Sequence, residues 1–97
     1  MNTAPQPWRS AVVVGLGKTG LSVARHLHAH GVAVRVTDSR ALPPGLEALR
    51  ALDARVPART GGFDTALLDG ADVVVVSPGV ATRGAFFDAA RQRGLPR

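Results

Sequence analysis

The feature that most constrains the fold of this chain is a glycine-rich segment, Gly-Leu-Gly-Lys-Thr-Gly, at residues 15–20. It follows a short apolar run at residues 11–14, which is typical of a parallel strand buried on both faces. From about residue 19 to residue 30 apolar side chains recur at helical spacing, and Gly31 stands where a left-handed residue ends a helix. The segment therefore predicts a strand, a tight turn and a helix.

The three glycines match the pattern G-x-G-x-x-G, in which each glycine has its own role. Gly15 permits the tight turn, Gly17 lets a phosphate approach the main chain, and Gly20 lets the helix pack close to the strand. The N–H groups of the first helical turn, near Lys18 and Thr19, then point at the anion. We therefore expect residues 15–20 to bind the diphosphate of a nucleotide.

The segment admits three other interpretations. Its end resembles a Walker A loop, but that loop needs a glycine five residues before Gly17, where Val12 stands. An ATP-hydrolysing phosphate loop is therefore excluded. A tight turn without a ligand and a solvated Lys18 side chain remain as alternatives.

An acidic residue is placed where dinucleotide-binding folds need one. Asp38 closes the second predicted strand, 18 residues after Gly20, and such an acid accepts hydrogen bonds from ribose hydroxyls. A helix cap or a loop-ordering role is the alternative. Ser39 and Arg40 follow at the same rim of the predicted site.

A second candidate segment, Ser77-Pro78-Gly79, follows the fourth predicted strand. Ligands of open α/β sheets bind at the carboxyl ends of strands near the switch point. The Ser77 hydroxyl and the Gly79 main chain are therefore candidates for contact with a base or ribose. The same residues are equally consistent with a simple chain reversal.

The rest of the chain alternates strands and helices. Strands are predicted over residues 32–37, 55–59 and 72–77, and helices or helical turns over 46–52, 63–68 and 85–93. This alternation predicts an α/β, Rossmann-like, doubly wound parallel sheet of about four strands. We assign residues 1–10, which contain Pro5 and Pro7, to a flexible lead-in and residues 11–97 to one nucleotide-binding domain. A fifth strand is expected to begin at residues 95–97, as if a longer protein had been cut there.

Composition excludes several classes of function. The formal charge of +5 comes from basic residues scattered singly, without interleaved aromatics, which argues against nucleic acid as a partner. No cysteine is present, and the spacing of His26, His28 and His30 offers no third ligand, so we expect no metal site. No catalytic triad or pair of carboxylates emerges. The lack of a long apolar stretch or leader predicts a cytoplasmic protein without a membrane partner.

Three segments together resemble the N-terminal domain of the Mur ligase family, and within it the enzymes that add D-glutamate. They are residues 12–22, residues 38–40 with Pro44-Gly45, and residues 76–80. The resemblance covers roughly residues 11–95. It implies that Lys18 and Thr19 meet the diphosphate of a UDP-sugar. It also implies that residues 38–40 border the uridine, with Ser77 and Gly79 on its other side.

The resemblance also implies an activity for the longer protein. Such ligases use ATP and Mg²⁺ to join D-glutamate to UDP-N-acetylmuramoyl-L-alanine, through an acyl phosphate, in peptidoglycan precursor synthesis. The full-length enzyme is expected to be monomeric. The present chain lacks the ATP-binding and amino-acid-binding domains, so it is expected to bind one substrate, to bind no cofactor itself and not to catalyse.

Two alternatives to this function remain open at this point. One is the NAD(P)-binding domain of an oxidoreductase or a nucleotide-sensing module, because a helix N-terminus recognises diphosphate whatever base follows it. The other is a scaffold that binds no nucleotide and self-associates through an exposed sheet edge.

Overall fold

The computed structural model describes residues 8–97, and its core is one parallel sheet. In chain order the elements are β1 (Ser10–Val14), α1 (Lys18–Ala29), β2 (Ala33–Asp38), α2 (Leu46–Leu52), β3 (Ala58–Thr60), a 3₁₀ turn (Thr65–Leu68), β4 (Val73–Val76) and α3 (Ala85–Gln92). The strand order is β3-β2-β1-β4, and every neighbouring pair is parallel. The predicted α/β, Rossmann-like fold is confirmed.

Helices cover both faces of the sheet, and successive side chains of β1 alternate between the two faces. Ala11 and Val13 pack in a cluster with α1 and α2, whereas Val12 and Val14 pack in a cluster with the 3₁₀ turn and α3. All four side chains are fully buried. Because β1 is buried on both faces, its sequence is a continuous apolar run.

The helix α1 begins at the glycine turn and buries one face. Its buried residues are Gly20, Ala24 and Leu27, which the 3.6-residue period brings together. Gly31 follows its last turn with φ of +80°, as predicted for a helix end. None of the helices within residues 8–97 is long and apolar enough to cross a membrane.

The third strand differs from its predicted position. It begins at Ala58, because residues 53–56 form a turn in which the Arg55 N–H donates to Asp53 Oδ1 over 2.9 Å. The main-chain N–H of Val56 also donates to the Asp53 carbonyl, over 3.2 Å. Local side-chain bonding of this kind competes with strand pairing.

The two ends of the domain lie beside β1 and β4. Strand β1 begins at Ser10, which the sequence analysis placed last in the lead-in, and residues 1–7 of that lead-in lie outside the described residues. The main-chain N–H groups of Arg9 and Ser10 donate to Asp72 Oδ2, over 2.8 and 3.1 Å. At the other end the Pro96 carbonyl accepts from Val74 N over 2.9 Å. The segment expected to begin a fifth strand therefore lies alongside β4, although it forms no strand in the structure.

Candidate functional site

A cleft of about 660 Å³ opens at the carboxyl ends of β1, β2 and β4. Strands β2 and β4 flank β1 on opposite sides, so the chain changes direction across the sheet at β1. The cleft lies at this switch point, where ligands of open α/β sheets bind. Every residue selected from the sequence lines it: Gly15, Gly17, Lys18, Thr19, Gly20, Asp38, Ser39, Arg40, Ser77, Pro78 and Gly79. Three separate loops therefore meet in one site.

The glycine turn is closely packed at two of its three glycines. Gly15 has φ of +94°, which side-chain-bearing residues rarely adopt, and its N–H donates to the Thr37 carbonyl over 2.9 Å. A Cβ added at Gly20 would lie 1.8 Å from the Gly15 carbonyl oxygen. Helix α1 thus packs directly on the turn, and only glycine at position 20 allows it.

Gly17 differs from the other two because it faces open space. It is the N-cap of α1 with φ of −92° and ψ of −159°, and the nearest atom to an added Cβ would be Arg40 Nη2 at 3.9 Å. No side chain of residues 8–97 caps α1, and the first turn of the helix contains no acidic residue. Within residues 8–97 the first N–H groups of the helix have no protein acceptor. A free helix N-terminus beside open space suits an anion.

Asp38 is buried beneath the cleft and accepts four hydrogen bonds. Its side chain is 2% exposed. Oδ2 accepts from the Leu16 N–H over 2.7 Å and from Arg40 Nη2 over 2.8 Å. Oδ1 accepts from the Arg40 main-chain N–H over 2.7 Å and from Arg40 Nε over 3.0 Å. These bonds use the acceptor capacity of a carboxylate. The carboxylate of Asp38 thus ties the glycine turn to Arg40, as the loop-ordering alternative expects.

The same contacts stabilise the charged form of Asp38. The Arg40 side chain and the Leu16 and Arg40 N–H groups hold the pKa of the carboxyl at about 2, below its ordinary value of 3.8, although burial opposes this. Because the pKa is lower in the folded state, the stabilisation is complete above pH 3.8. It is lost as pH falls through 3.8 towards 2 and below.

We therefore expect Asp38→Asn to lower the free energy of unfolding by about 2–3 kcal/mol at pH 7, since an amide would leave buried donors unpaired. The difference between the variant and the unaltered chain should shrink as pH falls from 4 to 2. Urea unfolding of both proteins at several pH values measures it. A difference that stays constant down to pH 2 would contradict the assignment of this carboxylate.

Ser77 joins the β4 side of the cleft to the glycine turn. Its N–H donates to the Val14 carbonyl over 2.9 Å, and its hydroxyl donates to the Gly15 carbonyl over 3.0 Å. The hydroxyl proton is thus used within the protein, while the oxygen remains an acceptor facing the cleft. Pro78 and Gly79 are exposed beside it, and Gly79 has φ of +91° with open space around it.

Four further residues line the cleft that the sequence analysis did not select: Phe63, Val80, Ala81 and Arg83. Phe63 lies in the loop after β3, where the sequence predicts the start of a helical turn, and Arg83 is one of many scattered arginines. No sequence signal distinguished either of them. They add one aromatic ring and one cation to the site.

The lining is strongly positive. It includes Lys18, Arg40 and Arg83, and Asp38 is the only acidic residue in the lining that residues 8–97 form. Arg40 is paired with Asp38, yet its side chain is 53% exposed. Lys18 and Arg83 have no ion-pair partner in the part of the chain that the structure describes. This imbalance favours an anionic ligand with more than one negative charge.

The chain is similar to one family of known proteins. A model of the family "Mur ligase MurD-like, N-terminal domain" matches residues 9–96. The chain is 50% identical over 92 residues to a UDP-N-acetylmuramoylalanine--D-glutamate ligase of Nitrosococcus oceani, covering 95% of the chain and 20% of that protein. Identity to the ligases of the same name from Marinobacter nauticus and Aromatoleum aromaticum is 47% and 43%, covering 89% and 91% of the chain and 20% and 19% of those proteins. The chain thus spans about a fifth of the length of these relatives. It belongs to the Mur ligase MurD-like N-terminal domain family.

Proposed function

We propose that this chain is the uridine-nucleotide-binding domain of a ligase that adds D-glutamate to UDP-N-acetylmuramoyl-L-alanine with ATP. One observation carries the proposal: the loops after β1, β2 and β4 meet in a positive cleft at an uncapped helix N-terminus. The names of the relatives supply the substrate class. We assign the diphosphate to residues 17–20, and the uridine to the rim formed by residues 38–40 and 77–79.

The hydrogen bonds of Asp38 remove the one sequence feature that pointed specifically to a nicotinamide dinucleotide. In dinucleotide sites the acid at the end of the second strand accepts hydrogen bonds from ribose hydroxyls. Here that carboxylate already accepts from Leu16 and Arg40 on both oxygens. It has no acceptor site left for the ribose of either nucleotide, so the acid no longer favours NAD, and the preference for uridine rests on the names of the relatives.

Calorimetric titration of the chain with UDP-N-acetylmuramoyl-L-alanine, UDP and NADH tests the proposal. We expect both uridine nucleotides to bind and NADH to bind at least about tenfold more weakly, a difference of about 1.4 kcal/mol. Tighter binding of NADH, or no binding of either uridine nucleotide, would contradict the proposal.

The residues of this domain do not fit ATP with Mg²⁺. Val12, which is fully buried in β1, stands where an ATP-binding phosphate loop has its first glycine. The only carboxylate of the cleft, Asp38, has no lone pair left for a cation. We therefore assign ATP, Mg²⁺ and D-glutamate to segments of the ligase outside these 97 residues, and expect the chain alone to bind substrate without catalysing.

Lys18 and Arg83 line the cleft without an ion-pair partner among residues 8–97, so removing either charge should weaken the binding of a charged ligand. Lys18→Gln and Arg83→Gln should each weaken UDP binding about 3- to 10-fold at low salt, the magnitude of an exposed charge pair, and leave the affinity for uridine unchanged. The loss should diminish in high salt. Titrations with both ligands at two salt concentrations measure it.

Arg25→Gln is the matched control for these two variants, because Arg25 is exposed on α1 and does not line the cleft. It removes the same charge and should change UDP affinity little. An equal loss in the Arg25 variant, or an equal loss for uridine and UDP, would contradict direct contact of Lys18 and Arg83 with phosphate.

A further inference from the structure

The one aromatic ring in the cleft is held in place by its chain neighbours. Phe63 lies between Gly62 and Asp64, and both of these residues are bonded to the end of β2. The Gly62 N–H donates to the Asp38 carbonyl over 3.2 Å, and the Asp64 N–H donates to the Thr37 hydroxyl over 3.3 Å. Phe63 is therefore fixed beside the loop that carries Ser39 and Arg40.

The buried rings of Phe86 and Phe87 pack against the ring of Phe63. Its centroid lies 5.6 Å from that of Phe86 and 5.8 Å from that of Phe87, the second pair being edge to face. Phe86 and Phe87 are 4% and 0% exposed, whereas Phe63 is half-buried. Edge-to-face packing of this kind stabilises one ring orientation. The part of Phe63 that lines the cleft is thus preorganised.

We propose that Phe63 is the surface on which the nucleobase packs, an inference that rests on the proposed function. An aromatic ring cannot bond phosphate oxygens, whereas the flat faces of a base pack well on it. The cations and the free helix N–H groups serve the charged part of the ligand. Among the residues that the structure describes, Phe63 is the only aromatic one lining the cleft, so it is the surface best suited to a base.

The test compares ligands with and without a base. Phe63→Leu keeps an apolar side chain but removes the ring, and should weaken binding of UDP and of uridine about tenfold, within the range known for loss of a base–aromatic stack. Binding of inorganic pyrophosphate, which has no base, should stay unchanged. Calorimetric titrations of the chain with the three ligands measure these affinities.

Trp8→Leu is the matched control, because Trp8 packs against the core cluster that contains Val13 and Leu27, away from Phe63, and does not line the cleft. It should lower stability in urea unfolding and leave the ratio of UDP to pyrophosphate affinity unchanged. A Phe63 variant that binds uridine as well as the unaltered chain, or that loses pyrophosphate binding equally, would overturn the inference alone. Failure of the unaltered chain to bind UDP would overturn the proposed function with it.

Discussion

Replacing Gly20 with alanine is expected to lower the free energy of unfolding by roughly 3 kcal/mol or more and to abolish UDP binding. The new Cβ would lie 1.8 Å from the Gly15 carbonyl oxygen and 3.0 Å from the Ser77 hydroxyl oxygen. The first of these contacts is with main chain, which cannot rotate away. Helix α1 must therefore move off β1, and the turn that presents the helix N-terminus is distorted.

Urea unfolding and UDP titration of Gly20→Ala measure the two effects, and Gly17→Ala is the matched control. It adds the same methyl group three residues earlier in the turn, where the nearest atom is 3.9 Å distant and φ of −92° suits any residue. The control should keep most of the stability of the unaltered chain. Equal stability of the two variants would contradict the close packing of α1 on the glycine turn.

Replacing Gly17 with valine is expected to reduce UDP affinity by roughly 100-fold or more while the fold remains intact. The extended main chain at this position, with ψ of −159°, suits a β-branched residue. The side chain would instead fill the space that phosphate needs in order to reach the helix N–H groups. Loss of two hydrogen bonds to a charged group, at about 1.5–3 kcal/mol each, accounts for a change of this size.

Paired titrations with UDP and uridine separate this effect from a general loss of the cleft. The Gly17→Val variant should lose UDP affinity far more than uridine affinity, and Gly17→Ala should lie between it and the unaltered chain. Unaltered UDP affinity in the valine variant would show that the phosphates do not lie at Gly17.

The glycine turn was predictable because its requirements are local. A tight turn, a close approach of helix to strand and a free helix N-terminus each need glycine at a fixed offset, so sequence spacing alone indicates them. The structure shows this directly at Gly15, with φ of +94°, and at Gly20, where a Cβ would meet main chain. The fold class followed from the same reasoning, since β1 is a run of residues that are buried on both faces.

The features that the sequence did not predict depend on contacts between residues that are far apart in the chain. The position of Asp38 was clear from sequence, but its bonds to Leu16 and Arg40 depend on how the loop after β2 folds back. Phe63 enters the cleft because Gly62 and Asp64 bond to β2, a pairing that no local pattern encodes. The start of β3 was shifted by the turn at Asp53.

We propose above all that the N–H groups at the start of α1 hold the diphosphate of a uridine nucleotide. Amide chemical shifts of the ¹⁵N-labelled chain during titration with UDP test it most directly, because each N–H reports its own hydrogen bond. We predict the largest changes at residues 17–20, with small changes along the exposed face of α2. Changes centred elsewhere, such as the groove lined by Arg50, Arg55 and Arg59, with residues 17–20 unaffected, would contradict the claim.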